Sequence, residues 1–206
     1  MDGNFIYEIK NFISHEECEM LIKKFDEDPD KQQSCILKAG IPTYDLKRRN
    51  SFDILMCEDE KWYKVNQYIN EKLLDAIKTY RREMCLFFKR YNEDPKSMFD
   101  VMFDKKFFPT QNLIQRTEPN SEFGWHCDKG VNCVLSAILY LNDIETCDGG
   151  ETEFTCGRKI KPEAGKLLLF PSTWSIMHRG CFVRKYKYMI TNPIVEISQD
   201  PGFVFS

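Results

Sequence analysis

The sequence predicts an α+β domain with a mainly β core, and three observations carry that expectation. Both long apolar stripes at helical spacing end by about residue 84. After about residue 99 the texture changes to short hydrophobic runs separated by turn residues, the pattern of a sandwich or barrel. A length of 206 residues fits one domain with a full core and requires no second one.

Phe5–Ile9 alternates as a first strand. Ser14 follows as a helix N-cap, and Glu17 three residues later completes a capping box. Cys18, Leu21, Ile22 and Phe25 repeat at helical spacing, and Asp28-Pro29-Asp30 ends that helix. His15, at its first position, reads as solvated. Residues 31–50 are polar, with Gly40, Pro42 and the basic run Lys47-Arg48-Arg49, and read as a loop that is either a connector or a closing lid. The basic run reads as solvated rather than as a contact for an acidic substrate. Ser51–Met56 is expected as a strand.

From Asp59 to about Met84 a second helix is expected, its stripe of Trp62, Val65, Ile69, Leu73, Ile77 and Tyr80 covering a sheet face. Residues 92–99 read as a turn. The strand candidates are Leu86–Arg90, Val101–Asp104, Asn112–Thr117, Phe123–Asp128, Cys133–Leu141, Thr152–Phe154, Leu167–Phe170, Trp174–His178 and Tyr186–Thr191. Pro109, Pro119-Asn120, Gly130, Asp148-Gly149-Gly150, Pro162, Gly165, Pro171 and Gly180 stand between them as breakers.

Hydrophobic residues at 42% and charged residues at 30% are ordinary for a soluble globular protein. A net charge of −3 carries no electrostatic footprint for duplex nucleic acid. Nine scattered cysteines without a CxxC pair read as reduced thiols, which predicts an intracellular, cytoplasmic setting and no structural zinc site. Met1–Lys10 has neither the basic nor the apolar region of a secretion signal. No apolar run approaches the roughly 20 residues of a membrane span.

The chemistry centres on Phe123-Gly124-Trp125-His126-Cys127-Asp128. Side chains two apart on an extended strand share a face, so His126 and Asp128 converge while Cys127 turns away. Iron(II) in a facial triad needs a second imidazole. The chain has three histidines, and His178, 52 positions after His126, is far enough along to return on a facing strand. A His-x-Asp triplet alone is more often solvated than metal-binding, so the weight falls on its surroundings.

Five segments, in order, form those surroundings. They are Phe123–Asp128, Ala137–Asn142, Gly149–Phe154, Lys161–Pro171, and His178-Arg179-Gly180 followed by Lys187–Thr191. Together they resemble the iron(II) and 2-oxoglutarate-dependent dioxygenases, specifically the prolyl 4-hydroxylase-like branch. The resemblance runs from Phe5 to about Pro193. It implies a double-stranded β-helix (jelly roll) with the N-terminal helices packed on one sheet. Residues 1–206 would form a single domain, with 1–98 as helix-rich support and 99–206 as the catalytic core. It also implies iron(II) held by His126, Asp128 and His178, with 2-oxoglutarate and O2 consumed, succinate and CO2 released, and ascorbate as an accessory reductant.

The same resemblance gives Lys187 the distal carboxylate of 2-oxoglutarate, with Tyr140 and Thr191 beside it. An unpaired buried anion is costly, which is why a cation is needed there. Lys187 lies nine residues after His178, an odd interval that would separate the two on one unbroken strand. A turn at Gly180 or around Val183–Lys185 is therefore expected, and Arg184 and Lys185 are rivals for the cationic role. Gly149-Gly150 is expected to form a tight turn. Trp125, Trp174, Arg179 and Arg116 are candidates for substrate contact, the tryptophans alternatively for core packing. Thr117 stands where some relatives carry tyrosine and Asn120 near where they carry glycine, a departure that bears on substrate alone.

The expected function is hydroxylation of a prolyl residue in a peptide or protein partner, with no nucleic acid or membrane involved. The alternatives are the same chemistry on another side chain or a small metabolite, a catalytically inactive jelly-roll binding module, and a zinc-bound structural barrel.

Overall fold

The computed structural model describes residues 5–38, 41–90, 106–128 and 132–197. The expected turn at 92–99, the strand Val101–Asp104 and the breaker Gly130 lie outside them. Helix α1 spans His15–Glu27 and begins as its sequence dictates. The Ser14 hydroxyl accepts from the Glu17 amide (3.2 Å), and the Glu17 carboxylate accepts from the Ser14 amide (2.7 Å). Cys18, Leu21 and Phe25 are its buried stripe.

Helix α2 spans Tyr63–Lys89 and buries Ile69, Leu73, Ile77, Tyr80 and Met84. Trp62 is its N-cap, fully buried, and the indole N–H donates to the Asp28 carboxylate at 2.8 Å. The helix runs past Met84, so residues 86–89 are helical, with Arg90 as the C-cap, and not the strand expected there. The apolar step of three to four continues to Phe87 and Phe88, whose rings meet Phe5 at 5.5 and 5.9 Å. A five-residue apolar run with no breaker is ambiguous by periodicity alone, and continuity with the helix decides it.

The strands, numbered in chain order, form two principal antiparallel sheets. The large one runs β1 (Tyr7–Ile9), β12 (Leu167–Pro171), β9 (Cys133–Tyr140), β14 (Lys187–Ile197), β7 (Leu113–Thr117), β5 (Ser51–Leu55) and β2 (Gln32–Gln33), with β6 (Lys106–Pro109) pairing the end of β14. The small one runs β11 (Lys159–Ile160), β10 (Thr152–Phe154), β13 (His178–Val183) and β8 (Ser121–His126). A hairpin of β3 (Ile36–Lys38) and β4 (Ile41–Thr43) stands apart.

Residues 31–50 therefore hold β2 and this hairpin where a loop, either connector or lid, was expected. Polar bonds hold β2, with Gln33 donating to the Ser51 carbonyl (2.9 Å) and the Ser34 and Ser51 hydroxyls 2.6 Å apart. Hydrophobic periodicity is blind to such pairing. Residues 174–177 form a turn, not a strand, and β13 begins at His178 and passes through Gly180. β6 and β11 were not foreseen. Pro109 sits at the end of the former opposite Ile194, on a strand that pairs with β14 alone, the kind of edge position where proline is tolerated.

The large sheet has an apolar cluster on each face. One, with Phe25, Ile69, Tyr80, Ile114, Leu139, Leu169 and Ile190, packs it against α1 and α2. The other, with Ile138, Tyr140, Phe154, Leu168 and Phe170, lies between the two sheets. This is a double-stranded β-helix with its N-terminal helices on one sheet. Among the described residues no helix is long and apolar enough to cross a membrane.

Candidate metal and co-substrate site

The site lies between the sheets. β13 and β8 pair so that His178 stands directly opposite His126, which places the two rings 4.2 Å apart. Phe123 pairs with Gly180, so three residues of β8 span two of β13 and the strand bulges by one. The bulge lets both Phe123 and His126 face the interior, with Phe123 stacked on His126 at 3.9 Å. Asp128, two residues on, lies just past the end of β8 and not within the strand expected to carry it.

His126 Nε2 lies 3.5 Å from one Asp128 oxygen and His178 Nε2 3.7 Å from the other. The three ligand atoms lie within 4.8 Å of one another, a spacing that could hold one metal ion. Nδ1 of His126 is 2.8 Å from the Gly124 carbonyl, to which its N–H donates, leaving the Nε2 lone pair free. Nδ1 of His178 is buried with no hydrogen bond of good geometry, although the Ile176 backbone stands close by. Burial lowers the pKa of both imidazoles. For His178 the neighbouring His126 adds to burial and outweighs Asp128, bringing it to about 4. Both rings are therefore neutral near pH 7, as ligands must be.

A cavity of about 360 Å³ extends from this cluster. Its opposite wall is β14, where alternation aims Lys187, Met189 and Thr191 inward. The chain crosses between sheets at residues 184–186, so the turn needed between His178 and Lys187 falls there and not at Gly180. Lys187 is buried, and Nζ donates to the Gly150 carbonyl at 3.1 Å. Burial pulls its pKa down to about 8 despite the raising effect of Cys181 and Glu151. It forms no salt bridge among the described residues. A Cβ at Gly180 would come within 3.4 Å of Nζ, so the glycine leaves room around the cation. Gly149 and Gly150 both have positive φ (77° and 80°), and a Cβ on Gly149 would lie 2.1 Å from the Phe182 carbonyl. That pair is a tight turn pressed against β13.

Other candidates fall elsewhere. Tyr140 is wholly buried and donates to Thr152 Oγ1 at 2.7 Å, so Thr152, not the tyrosine, lines the cavity. Arg184 bonds the Cys147 carbonyl and Lys185 pairs with Asp148, both outside the cavity. Arg116 sits on the outward alternation of β7 and pairs with Asp26 and Glu118. Arg179, between two inward residues of β13, pairs with Glu153 and lies over the Trp125 ring at 5.1 Å. Trp125 (37% exposed) and Trp174 (77% exposed) are surface residues, not core. None of these four lines the cavity. Cys127 is also absent from its walls.

Among the wall residues that sequence reasoning missed are Arg49, Gln115, Thr152 and Asn192. Arg49, read as solvated, turns inward because Asp53 (3.0 Å) and Gln115 (2.8 Å) accept from its guanidinium. Asn192 joins Asn112, Asn66 and Asn70 in a buried amide chain reaching α2. The run Lys47-Arg48-Arg49 was the available signal for the first. A polar residue in an apolar strand pattern was the signal for the last.

Comparison with known proteins agrees with this geometry. Residues 113–193 match the model of the 2OG-Fe(II) oxygenase superfamily. A PKHD-type hydroxylase of Synechococcus sp. (strain CC9902) is 35% identical over 68 residues, covering 30% of this chain and 31% of that protein. The chain thus spans about a third of that relative's length. A viral collagen prolyl hydroxylase from Paramecium bursaria Chlorella virus-1 superposes with a TM-score of 0.63 at 18% identity, over 96% of this chain and 98% of that one. A Trichoplax adhaerens prolyl hydroxylase bound to a hypoxia inducible factor peptide gives 0.72 at 15%, over 94% and 84%. A Pseudomonas putida prolyl-4-hydroxylase gives 0.64 at 15%, over 95% of each chain. At these identities the structural likeness is one of fold.

Proposed function

We propose that this chain, whose residues 113–193 match the model of the 2OG-Fe(II) oxygenase superfamily, is such an oxygenase and hydroxylates a prolyl residue in a peptide or protein. The observation that carries the reading is one cavity with two imidazoles and a carboxylate at one end and a buried lysine on the facing wall. The prolyl substrate draws support from neighbours of the same fold that are prolyl hydroxylases, one carrying a peptide.

His126, Asp128 and His178 hold iron(II) in this reading. Neutral imidazoles and one carboxylate suit that ion and leave coordination positions open. Bound there with 2-oxoglutarate and O2, iron(II) supplies the oxidising chemistry for C–H hydroxylation, with succinate and CO2 as co-products. The protein's own part is orientation and charge. Gly124 fixes the tautomer of His126 through Nδ1. Lys187 neutralises the distal carboxylate of 2-oxoglutarate, and the anion in turn relieves the cost of burying the ammonium. Thr191 and Thr152 supply hydroxyls on the same walls. Because Tyr140 donates to Thr152 Oγ1, the Thr152 proton is free to point into the cavity. Tyr140 therefore supports the co-substrate through Thr152.

The test is an incubation of iron-loaded protein with 2-oxoglutarate and a pool of proline-containing peptides, following succinate and peptide mass. Succinate that rises with peptide, together with one added oxygen on proline, is the expected result. Succinate without an oxygenated proline would overturn the prolyl assignment and move the substrate to another side chain or a small molecule. Absence of succinate would leave a binding module.

A further inference from the structure

We propose that Arg49 is a positioning residue for His126, acting through the ring of Phe123; this rests on the reading of His126 as a metal ligand. The guanidinium of Arg49 lies over the Phe123 ring at 5.0 Å, and Phe123 stacks on the His126 imidazole at 3.9 Å with 28° between planes. Guanidinium, phenyl and imidazole thus form one continuous row ending at a metal-binding ring.

The row answers a mechanical need. The bond from His126 Nδ1 to Gly124 fixes the tautomer and one point of the ring, and leaves the ring free to tilt about that point. The bulge in β8 weakens the strand pairing that would otherwise hold Phe123 and His126 in place. On the other edge of β8 the chain before β5 makes up the loss. Arg49 bridges Phe123 through the backbone, and the Gly124 amide donates to the Arg48 carbonyl at 3.2 Å.

Arg49 is itself anchored to the large sheet. Its guanidinium donates to Ser51 (3.1 Å), Asp53 (3.0 Å), Gln115 (2.8 Å) and the Cys35 carbonyl (3.2 Å). A planar cation held at four points over an aromatic face is a rigid support, and cation–π attraction strengthens where water is excluded. The geometry therefore refers the position of a ligand on the small sheet to the frame of the large one. Outer-shell partners of this kind are typically worth about 10- to 100-fold in metal affinity.

Cobalt(II) binding to the intact chain, read by its visible absorption bands, tests this without turnover. Removing Arg49 alone would strand the Asp53 carboxylate, so the main variant joins Arg49→Gln with Asp53→Asn. The expected result is a Kd for cobalt(II) raised about 10-fold or more with shifted bands, and Phe123→Leu should do the same. With Phe123→Leu already present, the Arg49→Gln and Asp53→Asn pair should weaken binding no further. Arg49→Lys, which keeps a cation above the ring, should fall between. Wild-type affinity and bands in the Arg49 variants would overturn the proposal. So would an equal loss in the Phe123→Leu background, because Arg49 would then act by another route. Cobalt(II) binding unchanged by His126→Ala would remove the ligand itself, and with it both this inference and the metal reading.

Discussion

The two faces of the large sheet share the same strands and do opposite work. On β14, Tyr188 and Ile190 point to the helices and join an apolar cluster. Lys187, Met189 and Thr191, alternating with them, point into the cavity. The outward face collects buried hydrocarbon and so holds the fold together. The inward face carries a buried ammonium, whose burial costs free energy in the empty protein, and across the cavity it meets the two neutral imidazoles of the small sheet. Along β14, the side chains packed under the helices and those that line the site are thus separated by one residue of register.

That contrast can be broken from either side. Ile114→Ala, wholly buried on the helix face of β7, should cost about 2–5 kcal/mol of unfolding free energy in denaturant titration. It should leave activity per folded molecule near normal. Loss of activity without loss of stability would dissolve the division of labour.

Lys187→Met probes the other face with the opposite sign. A lysine brought from 10.5 to about 8 implies a penalty on the order of 3 kcal/mol near pH 7. The variant should therefore stabilise the ligand-free protein while raising the 2-oxoglutarate requirement at least about tenfold, the loss of one charge-assisted contact. Destabilisation by this variant would contradict the account of the wall.

The pH dependence follows from the same group. Between pH 8 and 10.5 the unfolded chain holds the lysine proton more tightly than the folded one. The stability contribution of Lys187 therefore rises with pH across that window and is flat below it. Affinity for 2-oxoglutarate should move the other way, falling above about pH 8 as the free protein loses the cation. Calorimetric titration at several pH values checks both slopes, and parallel slopes would rule the assignment out. The smallest effect is Ser14→Ala at the α1 cap, about 1 kcal/mol by thermal unfolding with no change in turnover.

The legible parts of the chain were those where one residue type carries one physical demand. The Ser14–Glu17 box announces α1, and the Gly149-Gly150 pair marks a turn where a side chain would strike backbone. His126, Asp128 and His178 could be grouped because few histidines compete. What escaped depended on partners distant in sequence. Arg49 looks solvated until Asp53 and Gln115 stand beside it, and β2 is held by serine and glutamine contacts that no periodicity reports. The bulge in β8 also escaped, and it is what turns Phe123 inward and leaves Trp125 at the surface. Alternation then explains why Arg116 and Arg179 point away from the cavity their neighbours line.

The most direct measurement is succinate formation from 2-oxoglutarate by iron-loaded wild-type protein beside Asp128→Ala and Lys187→Met. Wild type should form succinate, Asp128→Ala should form none, and Lys187→Met should recover only at higher 2-oxoglutarate. Equal succinate from wild type and Asp128→Ala would contradict the account, because the chemistry would then lie outside the cavity between the sheets.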